Sequence, residues 1–143
     1  MIFIIMKNQL LVLFCRNPEL GKVKTRLAAS IGDEKALAIY FLLANHTKQI
    51  TAPLACDKIL YYSDFVDSED NWPATTFEKS LQQGADLGEK MMNVFRNGFE
   101  RKYKSICIIG TDCFDLTSAI LEEAFEKLET NDAVIGPAHD GGY

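Results

Sequence analysis

Four cations, Arg16, Lys22, Lys24 and Arg26, fall within the stretch RNPELGKVKTR around one glycine, Gly21. At that density they repel one another unless an anion visits them. Gly21 frees the backbone to turn amides toward a ligand, Lys22 and Lys24 supply point charges, and Arg26 can clamp phosphate oxygens two at a time. The plain alternative is a solvated loop running into the first turn of a helix. Cations there oppose the helix macrodipole, so phosphate contact by at least two of the four is the better reading. The spacing is not that of a Walker loop, which would need glycine where Arg16 stands and Ser or Thr where Val23 stands. No G-x-G-x-x-G follows the first apolar run, which disfavours the usual dinucleotide fold.

Three further clusters carry chemistry. In GTDCFD, Asp112 and Asp115 are two carboxylates three residues apart, able to hold a hard divalent cation such as Mg²⁺ or Mn²⁺ that bridges diphosphate oxygens. Asp115 can equally do no more than cap the turn that follows. In HDGGY, Asp140 can serve a metal or a substrate hydroxyl while Gly141 and Gly142 allow close backbone approach; a tight turn has the same composition. His139 reads as a surface histidine. In QQGADLGE, Gly84 and Asp86 approach a helix N-terminus, a natural anion or hydroxyl site and also simply how a loop runs into a helix. No residue is singled out as the catalytic group. Trp72, Tyr61 and Tyr62 are assigned to packing.

Something must position these clusters. LLVLFC (residues 10–15) is a continuous apolar run of strand length, the kind buried on both faces of a sheet. After Gly32 and Asp33, Leu37, Tyr40, Phe41 and Ala44 recur at helical spacing, giving a helix to about Gln49. KILYY (58–62) predicts a second strand and residues 74–77 a short third, with the polar, turn-rich SDFVDSEDNWP between them. Asp86 caps a helix whose stripe is Leu87, Met91, Val94, Phe95 and Phe99. SICIIG (105–110) is a further buried strand; Thr117 then caps a helix striped by Ile120, Leu121, Ala124, Phe125 and Leu128, and AVIG (133–136) predicts another strand. Strands alternating with helices predict an α/β fold, a three-layer α/β/α sandwich with a mostly parallel sheet. Ligands of such sheets sit beyond the strand carboxyl ends, so the loops 16–26, 111–115 and 137–143 are expected to share one edge.

A chain of 143 residues, 48% of them hydrophobic, suits one domain with a real core. The segment 16–26 is +3 on a chain of net charge −5, leaving −8 elsewhere. That balance excludes wrapping a nucleic acid, whose affinity rests on neutralising many phosphates over a broad surface; a small polyphosphate fits better. Cys15, Cys56, Cys107 and Cys113 form no C-x-x-C pair and are read as reduced thiols of a cytoplasmic protein. The opening MIFIIM has no basic region before it and no small-residue cleavage site after it, so it is not read as a signal peptide. No run approaches the roughly 18 apolar residues of a membrane span.

In this order, LFCRNPELGKVKTRLA, QQGADLGEKM, IIGTDCFDLT and GPAHDGGY resemble a glycosyltransferase-like family of bacterial and archaeal proteins, formerly of unknown function, with the nucleotide-diphospho-sugar transferase (GT-A) fold. The match runs from Leu10 to Tyr143. The resemblance implies a metal-dependent transferase acting on a nucleotide-sugar or nucleoside triphosphate, with glycosyl transfer favoured. It places Arg16, Lys22, Lys24 and Arg26 on the phosphates, the divalent metal on Asp112 and Asp115, Asp140 with Gly141 and Gly142 beside the sugar or ribose, and Gly84 and Asp86 at the border of the nucleotide. KTRLA is also similar to the phosphate-binding loop of guanylyltransferases that activate phospholactate, which implies nucleotidyl transfer as one alternative; a non-catalytic nucleotide-binding or assembly domain is the other. The family pattern carries proline where Phe114 stands and an acid where His139 stands. Family members continue past the position of Tyr143 with elements of the acceptor side. The resemblance therefore implies a single domain lacking its C-terminal part, or a partner chain, as in a homo-oligomer, that completes the site.

Overall fold

The computed structural model describes residues 8–136. The run LLVLFC lies in β1 (Gln9–Cys15), and it is apolar throughout because it has a strand on each side and helices on both faces. Then follow α1 (Thr25–Ile31), α2 (Asp33–Thr51), β2 (Asp57–Tyr62), β3 (Glu78–Leu81), α3 (Leu87–Glu100), β4 (Ser105–Gly110) and α4 (Ser118–Leu128). The four strands form one sheet in the order β3-β2-β1-β4, and every pairing is parallel. Val12 sits opposite both Ile59 of β2 and Ile108 of β4, which makes β1 central.

Alternation along β1 divides the core in two. Leu11, Leu13 and Cys15 face Tyr40 and Ala44 of α2 and Leu121 and Phe125 of α4. Leu10 and Val12 face the other way, with Ile59, Tyr61 and Ile106, onto Val94 of α3. The result is an α/β/α sandwich. Gly98 brings α3 close to the sheet: a Cβ there would lie 2.5 Å from Ile106 Cδ1. Trp72, Tyr61 and Tyr62 are buried, as packing residues should be.

Both expected caps form. Asp86 accepts from the Glu89 amide and Thr117 from the Ile120 amide. Of the stripe on α3, Val94 is buried and the terminal members Leu87 and Phe99 are exposed.

Two expected strands are corrected. Residues 74–77 turn instead, since the Pro73 carbonyl accepts from the amides of both Thr76 and Phe77. Phe77 plugs the core edge-on to Trp72, and the strand begins only at Glu78, where pairing with β2 rather than apolar composition makes EKSL extended. Among the described residues, 133–136 join no ladder and Ile135 is exposed; an apolar run without a neighbouring strand has nothing to pair its backbone. The loop expected over 16–26 gives way at Thr25 to α1, a helix that the sequence pattern did not predict and that has no buried residue of its own.

The core shields its thiols. Burial, aided by the charge of Asp70, pushes Cys15 from the usual 9.0 up to about 12, and burial pushes Cys107 up to about 11. Folded values above unfolded ones mean that these groups support stability in full below pH 9.0 and lose it as pH rises through 11 to 12, because the unfolded chain releases its protons first. The urea unfolding midpoint is therefore expected to hold steady up to about pH 9 and to fall above it.

Candidate functional site

The strand order reverses at β1: the chain passes from β1 to β2 and β3 on one side and then crosses to β4 on the other. Loops leaving the carboxyl ends of β1 and β4 consequently diverge, and the crevice between them is where open parallel sheets bind ligands. The basic loop follows β1 and the GTDCFD loop follows β4. Across that crevice Lys24 Nζ donates to Asp112 Oδ2 at 3.1 Å, joining residues 88 apart in sequence. Lys24 is mostly covered, with 24% of its side chain accessible, whereas Asp112 is open at 65%.

The basic loop is fixed from beneath. Val23, fully buried in the core between Lys22 and Lys24, anchors the chain, and Gly21 (φ 78) and Lys24 (φ 51) both take left-handed backbone to turn it. Such a conformation is uncommon for lysine and costs conformational energy that the surrounding packing must hold. Burial keeps the Tyr40 phenol protonated, and it donates to the Arg16 carbonyl. Arg16 Nη1 in turn donates to the Lys22 carbonyl at 3.3 Å. The four cations therefore differ in setting. Lys24 faces Asp112; Arg16 lies along its own loop; Lys22 pairs with Glu19 at 2.8 Å, which raises its pKa through that hydrogen bond; Arg26 is exposed on the first turn of α1.

On the β4 side, Thr111 is buried while Asp112, Cys113, Phe114 and Asp115 are exposed. Gly110 leaves room for the Asp112 carboxylate, whose Oδ1 would lie 3.0 Å from a Cβ at that position. The loop is propped from α2, where a ring nitrogen of His46 bonds the Leu116 carbonyl at 3.0 Å and the His46 ring lies 4.7 Å from that of Phe114. Asp112 and Asp115 supply hard oxygen donors, and among the described residues no group of three or more His, Cys, Asp or Glu side chains converges. Mg²⁺ is commonly held by one or two carboxylates with phosphate and water oxygens completing its shell, so the donors fit that ion in number and type.

Gly84 (φ 143) has Lys90 N only 2.7 Å from where a Cβ would stand, so the close turn into α3 requires glycine. Asp86 caps that helix, and Glu89 reaches back to the Ala85 amide at 2.8 Å. The local cap thus accounts for Asp86. Asp140, Gly141, Gly142 and His139 lie outside the described residues, so the third loop is not placed at the edge.

Two residues that sequence reasoning missed hold the edge together. Asn17 is 5% exposed. Its Oδ1 accepts from the amides of Asp64 and Phe65, its Nδ2 donates to the Phe65 carbonyl at 2.9 Å, and its own amide donates to Ser63 Oγ. That stitches the loop after β1 to the loop after β2. Gln82 Nε2 donates to the carbonyls of Tyr61 and Cys15, tying the ends of β2 and β1 to the residue after β3. A nearby network pins the 64–72 segment: Lys79 pairs with Asp70 at 2.6 Å, and Tyr62 donates to the same carboxylate. The only available signal for Asn17 was an Asn-Pro dipeptide, which reads as a turn. Two concavities on the described residues, of about 510 and 240 Å³, lie away from this edge and are not lined by Arg16, Lys24 or Asp112.

These features define an α/β protein whose parallel sheet presents opposed charges at its carboxyl edge. The chain belongs to DUF2064, a family of uncharacterised proteins conserved in bacteria, matched over residues 46–143. Its fold is similar to a crystal structure from Desulfovibrio desulfuricans G20, named "putative nucleotide-diphospho-sugar transferase", at a TM-score of 0.86 and 34% identity over 96% of this chain. The chain spans 62% of that protein's length. No curated protein matches the chain. No helix among the described residues is long and apolar enough to cross a membrane.

Replacing Asn17 by Ala strips partners from the Phe65 carbonyl and from two amides together. Stability is expected to fall by about 1–3 kcal/mol, read from urea unfolding.

Proposed function

We propose that this chain carries the nucleotide-binding part of a metal-dependent transferase acting on a nucleotide-sugar or nucleoside triphosphate, with glycosyl transfer favoured. The observation that supports it most is the approach of Lys24 to Asp112 at the reversal of strand order. One crevice thereby offers a cation for phosphate and a carboxylate for a metal. Similarity to a structure whose name is that of a nucleotide-diphospho-sugar transferase supports the same reading.

In this reading Lys24, Arg16 and Arg26 bind and orient the diphosphate, with Arg26 giving the two-pronged contact a guanidinium can make. Asp112, with Asp115, would hold Mg²⁺ or Mn²⁺, which when bound spreads the negative charge of a leaving diphosphate. Val23, Tyr40 and Asn17 keep the loop rigid, so the cations need little reorganisation as charge develops. The same residues would serve attack at the α-phosphorus, and the likeness of KTRLA to a guanylyltransferase loop favours nucleotidyl transfer as the second reading. Product analysis separates them, since glycosyl transfer releases a nucleoside diphosphate and nucleotidyl transfer releases pyrophosphate. We assign the protein to the cytoplasm, where its dispersed thiols stay reduced.

Isothermal titration with ADP, GDP, CDP and UDP, each with and without Mg²⁺ or Mn²⁺, tests the proposal. At least one nucleotide is expected to bind better with the metal, and Asp112→Asn to remove that gain. Lys24→Ala and Arg26→Ala are each expected to weaken binding by about tenfold or more, the worth of a hydrogen bond to a charged group. Unchanged affinity in both variants overturns the reading.

A further inference from the structure

We propose that Lys24 is a place-holding cation, which neutralises Asp112 until a nucleotide arrives together with its metal, so that the crevice selects the metal–nucleotide complex over either component alone. The inference rests on the functional reading above and adds a coupling between two halves of one site. Its basis is that the two groups assigned to opposite parts of the ligand are already bonded to each other, at 3.1 Å.

Consider each ligand in turn. A free divalent cation must take Asp112 from the Lys24 ammonium, and it leaves that ammonium beside a like charge with no new partner. A metal-free diphosphate must take Lys24 from Asp112, and it leaves the carboxylate facing phosphate oxygens. Either half alone creates an unpaired charge close to one of the same sign. The complex of metal and diphosphate presents both signs at once, so each member of the broken pair gains a counterpart. Binding of one component therefore favours the other, and linkage makes that help equal in both directions.

The pair suits such an exchange. Asp112 is largely solvent-exposed, and an ion pair in that setting is weak enough to be traded. The root of the Lys24 side chain is fixed all the same, because the left-handed backbone at Lys24 lies between the buried Val23 and the start of α1. A lysine ammonium is a compact point charge, a closer stand-in for a metal ion than a guanidinium fork. Lys22, the neighbouring lysine, faces Glu19 of its own loop.

The test reads binding without turnover. Titrate the unaltered chain, Lys24→Met and Lys24→Arg with Mn²⁺ alone, with the best-bound of ADP, GDP, CDP and UDP alone, and with each in the presence of the other. For the unaltered chain, the nucleotide should tighten Mn²⁺ binding and Mn²⁺ should tighten nucleotide binding by the same factor. Lys24→Met should move the two components in opposite directions: free Mn²⁺ binds about two- to fivefold tighter, as loss of an exposed competing charge allows, while the nucleotide binds more weakly. Lys24→Arg, which keeps the charge, should leave free Mn²⁺ binding weak. Lys24→Gly, which the left-handed backbone accepts, reads the same quantity if the Met variant fails to fold. Free Mn²⁺ affinity that stays level or drops in the folded neutral variants overturns this inference and leaves the functional reading standing. Failure of the unaltered chain to bind any of the nucleotides, with or without Mn²⁺, overturns both.

Discussion

β1 precedes the other described strands yet has a parallel neighbour on each side, so the chain must leave it in one direction and later cross to the other. Everything at the carboxyl edge depends on it. Parallel crossovers are right-handed, so the connection from β1 to β2 puts α2 on one face and the reverse crossing from β3 to β4 puts α3 on the other. The same reversal opens the crevice between the loops after β1 and β4. The contact of Lys24 with Asp112 is thus a product of topology before it is one of side-chain chemistry, since residues 88 apart meet only because their strands are neighbours.

The basic loop solves a problem that glycine-rich phosphate loops solve otherwise. A run of glycines frees the backbone to wrap a phosphate but loses much entropy on ordering. Here there is one glycine, Gly21, and order comes from contacts: Val23 in the core, the Tyr40 phenol on the Arg16 carbonyl, and the Asn17 amide across to Asp64 and Phe65. All of these act on backbone or on apolar atoms. The cationic heads are thereby left to the crevice and to solvent, on a loop whose course is already set. The left-handed turn at Lys24 fits this scheme, because strain in a non-glycine residue persists only where neighbours determine its conformation.

How far the sequence disclosed this depends on the kind of signal. Runs such as LLVLFC and SICIIG are strands because double-sided burial leaves no polar positions, and that is visible in composition alone. The helix starts at Asp86 and Thr117 were visible because a cap is a local hydrogen bond between a side chain and an amide three residues on. β3 was misplaced because EKSL is polar and becomes a strand only through its ladder with β2, while the apolar residue just before it, Phe77, serves the core from a turn. AVIG carried the opposite error: the composition of a strand, with no ladder to join among the described residues. At the site, charge spacing pointed to Lys24 and Asp112, but Asn17 and Gln82 act through partners distant in the chain, and nothing near them in sequence announces it. Nor could spacing foresee that Lys22 would be tied to Glu19, although the two sit at a separation that a tight turn brings together.

The chain as a whole is acidic, yet a ligand at this edge feels the nearby charges most, since the Debye length in physiological salt is about 8 Å. The 16–26 segment with Asp112 and Asp115 sums to +1, and Asp33 beside Gly21 and Asp64 near Lys22 lower that to −1. Such a near-neutral balance draws neither a bare divalent cation nor a bare diphosphate strongly. It matches best a ligand that brings both signs. On the function proposed above, the low net charge of the edge and the direct pairing of Lys24 with Asp112 have one origin: groups suited to the two halves of a composite ligand stand within reach of each other and pair when it is absent.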